Sequence, residues 1–237
     1  MELTEVAAKY EAYLIEQRRW FHQHPEYSEQ EFESCKHIRA ELDKMGVAWR
    51  PCGLETGTLA TIQGTKPGKT MLLRADMDAL RIQEETGLAF ASVNEGLMHA
   101  CGHDGHTTIL LGAARYLAET RRFNGTLRLI FQPAEEMING GEIMVKEGLF
   151  DRFPCDVIFG MHNMPGLPVG KFYFQPGALM ASMDQFHITV RGCGGHGAIP
   201  HKAIDPVLVA AHITTALQSI VSRNVDPLEA AVITVGS

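Results

Sequence analysis

The sequence has no run of lysines and arginines and no apolar stretch of membrane-spanning length. Formal net charge is −7. Nucleic acids and anionic lipid surfaces both require clustered positive charge, so neither is an expected partner. A spanning helix needs roughly 18 or more consecutive apolar residues, and none is present. The opening stretch MELTEVAAKYEAYLIEQRRW is charged throughout and lacks the apolar centre of a secretory signal. Cysteine is scarce. Cys35, Cys52, Cys101, Cys155 and Cys193 are odd in number and scattered, which argues against a disulfide framework and for a reducing, cytoplasmic location. Internal repeats and low-complexity tracts are also lacking.

What is present is enough apolar material for a real core. The chain has 237 residues, 45% hydrophobic and 21% charged, a length that suits one large domain or two small ones. From Thr4 to about Phe21, the residues Val6, Tyr10, Tyr13, Leu14 and Phe21 share one helical face, and Pro25 ends the run. In SEQEFESCKHIRAELDKMG, the spacing of Ser28 and Glu31 predicts a capping box. Phe32, Cys35, Ile38, Leu42 and Met45 form the stripe expected to be buried, and Gly46 the stop. Strand patterns follow at GTLATIQG and TMLLRADMD, separated by the turn TKPGK. Helical periodicity returns from about Thr107 to Arg122. It is followed by the strand pattern TLRLIFQP and then by DVIFGMHN, which reads as a buried strand. This alternation predicts an α/β fold, a sheet with helices on its faces.

Near residue 181 the rhythm changes. MDQFHITVRG alternates as an amphipathic strand, and DPVLVAAHITTALQSIVSR reads as a helix with Asp205 as N-cap and Pro206 at its first position. AAVITVGS reads as a further strand. This strand–helix–strand piece looks like half of a small domain.

Four places carry candidate ligands: Cys101 and His103 in a glycine-rich loop, Glu135-Glu136 after a strand, His162 at the end of DVIFGMHN, and Asp76 with Asp78 in RADMD. Ligand sites in open α/β sheets gather at the carboxyl ends of strands, so separate strands can deliver these groups to one pocket. Imidazole, carboxylate and a thiolate able to bridge suit divalent transition metals. Neighbouring side chains diverge, so one glutamate of the pair can bind metal while the other faces a metal-activated water and serves as base. Each signal taken alone also has a plainer reading. His103 and His106 can cap or pack near a helix start, paired glutamates commonly form a solvated face, Asp76 and Asp78 suit a turn, and Cys101 can be a small buried hydrophobe. The combination at successive strand ends favours the metal. Cys35, Cys52 and Cys155 read as structural, and His22 and His24 as helix-end residues without chemistry.

The strings RRWFHQHPEYSEQE, LLRADMDAL, HACGHDGHTTILLGAA, LIFQPAEE, GMHNMPGLPVG and GGHGAIPHKAIDP together resemble the two-metal amidohydrolases of the aminoacylase and carboxypeptidase metallopeptidase family. The resemblance is greatest to the branch of hippurate hydrolases and N-acyl-amino-acid amidohydrolases. It implies a mixed open sheet flanked by helices, the zinc-exopeptidase-like catalytic domain, over residues 1–180. It implies the start of a small α+β ferredoxin-like lid, which dimerises, over 181–237.

The resemblance further implies Cys101 as bridging ligand, with His103, Glu136 and His162 as further ligands. It implies Glu135 as general base and His196 as the residue that reaches a partner subunit's site to steady the oxyanion. Asp76 and Asp78 stand where other branches carry a metal-binding histidine and its aspartate, which implies supporting roles behind the ligands. Two divalent ions are implied, zinc or manganese, with cobalt or nickel also admissible, together with an N-acyl amino acid as substrate and a homodimer. One departure is Arg81, which replaces the motif's proline. The other is that family members continue beyond a position equivalent to Ser237, bringing a fifth ligand, a histidine. The chain alone is therefore expected to turn over weakly or not at all. Related activities that the same motifs allow are a dipeptidase or aminopeptidase, a biosynthetic deacetylase, and a non-catalytic metal-binding paralogue.

Overall fold

Alternation along the central strands decides the layering. A computed structural model describes residues 3–137 and 139–236. Strands β1 (Ala48–Pro51), β2 (Thr58–Gln63), β3 (Lys66–Asp76), β4 (Asn124–Gln132) and β5 (Val157–Gly160) form one sheet in the order β1-β2-β4-β3-β5. The β1–β2 and β2–β4 pairs are antiparallel, whereas β3 runs parallel to both β4 and β5. The sheet is mixed and open, as the family resemblance implies.

Successive residues of a strand face opposite sides. Ala60, Ile62, Ala75, Leu127, Leu129 and Phe131 point to one side, where they pack with Phe21, Cys35, Ile38, Leu42, Leu110, Leu111 and Ala114. Those partners belong to α1 (Leu3–Gln23), α2 (Phe32–Lys44) and α3 (His103–Thr120). Leu59, Leu72 and Ile130 point to the other side and meet Met144 of α4 (Gly140–Lys146) and Leu149 of α5 (Leu149–Arg152). A sheet apolar on both faces can be satisfied only by helices on both.

Several local expectations are corrected. The capping box does not form: Glu31 occupies the N-cap of α2 without a side-chain cap bond. Glu26 supplies the cap instead, accepting from the amides of Glu33 at 3.1 Å and Ser34 at 2.7 Å. Phe32 is 52% exposed, while Cys35, Ile38 and Leu42 of the same stripe are buried. The third helix starts at His103, a full turn before the periodicity becomes evident. β5 forms but is exposed along its length, because it is the edge of the sheet and lacks a neighbour on its outer side among the described residues.

The chain divides into two compact units, Met1–Val169 and Gly170–Ser237, so the division precedes the change of rhythm at residue 181. In the second unit α6 (Pro206–Asn224) forms as expected. The Asp205 carboxylate accepts from the amides of Val207 at 2.9 Å and Leu208 at 3.2 Å, and Pro206 opens the helix. The two flanking segments are not strands. A cavity of about 660 Å³ lies between 182–190, α6 and 232–236, lined by residues including Phe186, Ile188, Ile213 and Leu217.

Candidate metal centre

The carboxyl ends of the parallel strands β3, β4 and β5 lie at one edge of the sheet, and every candidate ligand of the first unit comes from the chain just beyond them or from the α3 N-terminus. β3 ends on Asp76 and leads to Asp78, β4 leads to Glu135 and Glu136, and β5 leads to His162 and Asn163. The loop before α3 supplies Cys101 and, through Gly102, turns directly into His103. Gly102 has φ +87°, and a Cβ there would overlap the Asn163 side chain, so only glycine lets this loop close on the β5 end.

Three overlapping donor groups result: Cys101, His103 and His162; Asp76, His103 and His106; and His103, Glu135 and Glu136, each with ligand atoms within 4.8 Å of one another. His103 belongs to all three and is fully buried. Its Nδ1 lies 3.3 Å from Asp78 Oδ1. A carboxylate can only accept, so Nδ1 carries a proton, and in the neutral ring Nε2 is the nitrogen with a lone pair to offer. Against burial, the carboxylates of Asp78 and Asp76 raise the pKa of His103. That Nε2 is 3.7 Å from Glu136 Oε1 and 3.9 Å from Glu135 Oε2. His162 repeats the pattern: Nδ1–H donates to the Asn163 carbonyl at 2.6 Å, leaving Nε2 3.3 Å from Cys101 Sγ. Both imidazoles are thus held in the tautomer a metal requires.

Two atoms at the centre of this arrangement are buried without a hydrogen-bond partner, His103 Nε2 and Glu136 Oε1. Buried polar atoms are seldom orphaned, and an orphaned lone pair opposite an orphaned carboxylate oxygen is what a cation between them would satisfy. The donor set therefore fits divalent metal.

Charge points the same way. Burial, and then the carboxylate of Glu136, push the Cys101 thiol up to about 12. Burial also raises Glu135, with Asp76 and Glu136 adding to it. Asp76 is opposed by burial but held at about 2 by its bond from His106 and the Arg74 charge. So much negative charge in one place calls for a positive counterpart. A bound dication inverts the thiol's preference and expels its proton. Metal affinity is accordingly expected to rise with pH through the neutral range, with about one proton released from Cys101 per metal-loaded site. Titration calorimetry in buffers of differing ionisation enthalpy checks this, and heats independent of buffer would contradict it.

The sequence shows only part of the layer that supports these donors. Asp78 backs His103, while Asp76, itself a member of one donor group, accepts from His106 Nδ1 at 2.6 Å through Oδ1 and from Arg74 at 2.6 Å through Oδ2. His106 is buried, and its Nε2 lies 2.6 Å from Asn163 Oδ1 and 3.1 Å from the Asn163 backbone N. Its spacing of three residues from His103 puts both on one face of α3, the signal that could have found it. His22 lies in the last turn of α1, as the sequence reads, and carboxylates from remote segments hold it there. It is buried, 2.6 Å from Asp104 Oδ2 through Nδ1 and 3.1 Å from Glu84 Oε1 through Nε2, and Arg18 adds a 2.8 Å ion pair to Asp104. The Asp104 bond, against burial, raises the pKa of His22. Arg81 lies 4.2 Å over the Tyr27 ring. His196 belongs to the second unit, where its Nδ1 accepts from the Ala198 amide at 3.1 Å. All five cysteines are free. No helix among the described residues is long and apolar enough to cross a membrane.

Residues 72–236 match the family model described as Peptidase family M20/M25/M40. The chain belongs to this family. It is 46% identical over 227 residues to N-acetyl-L-cysteine deacetylase of Bacillus subtilis, covering 95% of this chain and 54% of that protein. It is 48% identical over 221 residues to hippurate hydrolase of Campylobacter jejuni, covering 93% of this chain and 57% of that protein. The crystal structure of Bacillus subtilis YxeP, described as a dinuclear metal-binding peptidase of the M20 family, superposes with a TM-score of 0.65 at 45% identity, over 69% of this chain and 45% of that one. This M20 chain thus spans about half the length of the curated relatives it matches.

Proposed function

We propose that the whole protein hydrolyses the amide bond of N-acyl amino acids, using two divalent ions held by Cys101, His103, Glu136 and His162. The observation that carries this reading is the pairing of orphaned, buried His103 Nε2 with Glu136 Oε1, beside a half-exposed Glu135. Similarity to a hippurate hydrolase and an N-acetylcysteine deacetylase supports the substrate class. Bound divalent ions would supply Lewis-acid polarisation of the acyl carbonyl and a lowered pKa for water. Zinc or manganese suits these donors, with cobalt or nickel admissible.

Glu135 does the proton work. Its side chain is 40% exposed, against 20% for Glu136, so it stands where substrate and water arrive. It takes the proton of the attacking water and returns it to the departing amine. A carboxyl raised by burial suits a group that must both accept and give. Asp78 keeps His103 oriented, and Asp76 does the same for His106. In this reading residues 181–237 are part of a lid that dimerises, and His196 steadies the oxyanion in the partner's site. Five free cysteines support a reducing compartment such as the cytoplasm.

A panel of benzoyl-, acetyl- and free-amine dipeptide substrates, offered to the full-length protein, tests the reading. Hydrolysis of the acylated substrates should vanish with chelator and return with zinc or manganese. Cleavage restricted to free-amine dipeptides would favour a peptidase, and bound metal without any turnover a non-catalytic protein.

A further inference from the structure

The segment 28–31 sits far in sequence from every candidate ligand, yet it holds the loop that carries two of the acidic ones. Glu31 is fully buried. Its Oε1 accepts the backbone N–H of Ala134 at 2.8 Å, and its Oε2 accepts the Thr56 hydroxyl at 3.0 Å. Ala134 immediately precedes Glu135 and Glu136 and has φ +52°, a left-handed conformation that a residue with a Cβ rarely adopts. Such a residue persists only where its surroundings over-determine it. The same segment reaches the same loop in two further ways, once through Asp78 and once directly. Ser28 donates to Asp78 Oδ2 at 2.6 Å, the oxygen that also accepts the Glu136 amide at 3.0 Å, and Asn139 donates to Glu29 Oε1 at 2.8 Å.

We infer that Glu31 is a positioning residue: by holding the Ala134 amide it keeps the chain in its left-handed turn and thereby aims Glu136 at the metal site and Glu135 at the water beside it. Without that acceptor, Ala134 relaxes to an ordinary negative φ and the two carboxylates swing away together. A carboxylate is not itself required, only two correctly placed acceptor or partner atoms. Glutamine retains an acceptor for Ala134, and the Thr56 hydroxyl can turn to accept from its amide. Glycine takes φ +52° without penalty and should make the brace largely dispensable.

The inference rests on the metal-binding reading of Glu136, so the test begins with the unaltered chain and zinc. If that chain binds no zinc, the metal reading fails. If it binds zinc, the variants decide the role of Glu31. Glu31→Ala is expected to weaken zinc binding by about 10–100-fold, the cost typical of groups that orient ligands. Glu31→Gln should stay within roughly threefold of the unaltered chain, since its acceptor is kept. Adding Ala134→Gly to Glu31→Ala should restore most of the loss, because glycine removes the need for the brace. A purely structural Glu31 would lower the melting temperature of the metal-free protein and leave zinc affinity alone. Unchanged affinity in Glu31→Ala, or no recovery with Ala134→Gly, overturns the proposal. Should Glu31→Ala not fold, Thr56→Val, which removes the second anchor of the carboxylate, carries the same test. It should lower affinity by about five- to tenfold and recover with Ala134→Gly, and the absence of either change counts against the inference.

Discussion

Replacing Glu135 by glutamine is expected to lower kcat of the full-length protein by roughly 10²–10⁴, the range that general acid–base catalysis contributes. Metal content should hold. Glutamine is isosteric, cannot take a proton from water, and cannot protonate a leaving amine. The side chain is 40% exposed, and its Oε2 lies 3.9 Å from His103 Nε2, so the change leaves neither a cavity nor a newly unpaired buried charge. KM should move little, because the loss falls on proton transfer in the transition state rather than on substrate binding. The adjacent Glu136→Gln should behave differently, losing metal and turnover together, since its Oε1 is the buried orphan facing His103. A Glu135→Gln protein that keeps its rate would remove this residue from the chemistry.

The second large effect is expected at His103, the one residue common to all three donor groups. His103→Gln, which preserves much of the volume and polarity, should weaken metal binding by more than about 100-fold, beyond the range seen when only an orienting partner is lost. Cys101→Ala should lower the bound metal while leaving the two donor groups that exclude it intact. Metal content by atomic absorption and affinity by calorimetry separate the two cases. Equal losses, or none in either variant, would show that His103 is not the shared ligand. Melting temperatures in chelator distinguish loss of a ligand from loss of the fold.

The sheet and its helices were legible because periodicity reports burial directly, as the alternation of Leu127, Leu129 and Phe131 against Ile130 illustrates. Convergence of the ligands was legible for a related reason: the parallel strands β3, β4 and β5 end on the same edge, so residues just past each strand meet there. Failures came where a tertiary partner outbid a local one. Ser28 and Glu31 carry the spacing of a capping box, but Ser28 gives its hydroxyl to Asp78 and Glu31 takes the Ala134 amide, while Glu26 caps the helix. His22 sits at a helix end, as read, yet Asp104 and Glu84 come from remote segments to bury it. No local pattern carries such information. The strand patterns at 183–192 and 230–236 record side-chain alternation, whereas a ladder also needs a neighbour at hydrogen-bonding distance.

The central claim is that a thiolate, imidazoles and a carboxylate from separate strand ends share a pair of divalent ions. X-ray absorption at the zinc edge of the zinc-loaded protein tests it most directly. A sulfur shell at about 2.3 Å is expected, with nitrogen and oxygen scatterers at about 2.0–2.2 Å. A metal–metal distance of roughly 3.5–4 Å should accompany them. The sulfur shell should vanish in Cys101→Ala. Nitrogen and oxygen scatterers alone in the unaltered protein, with no sulfur, would contradict the account.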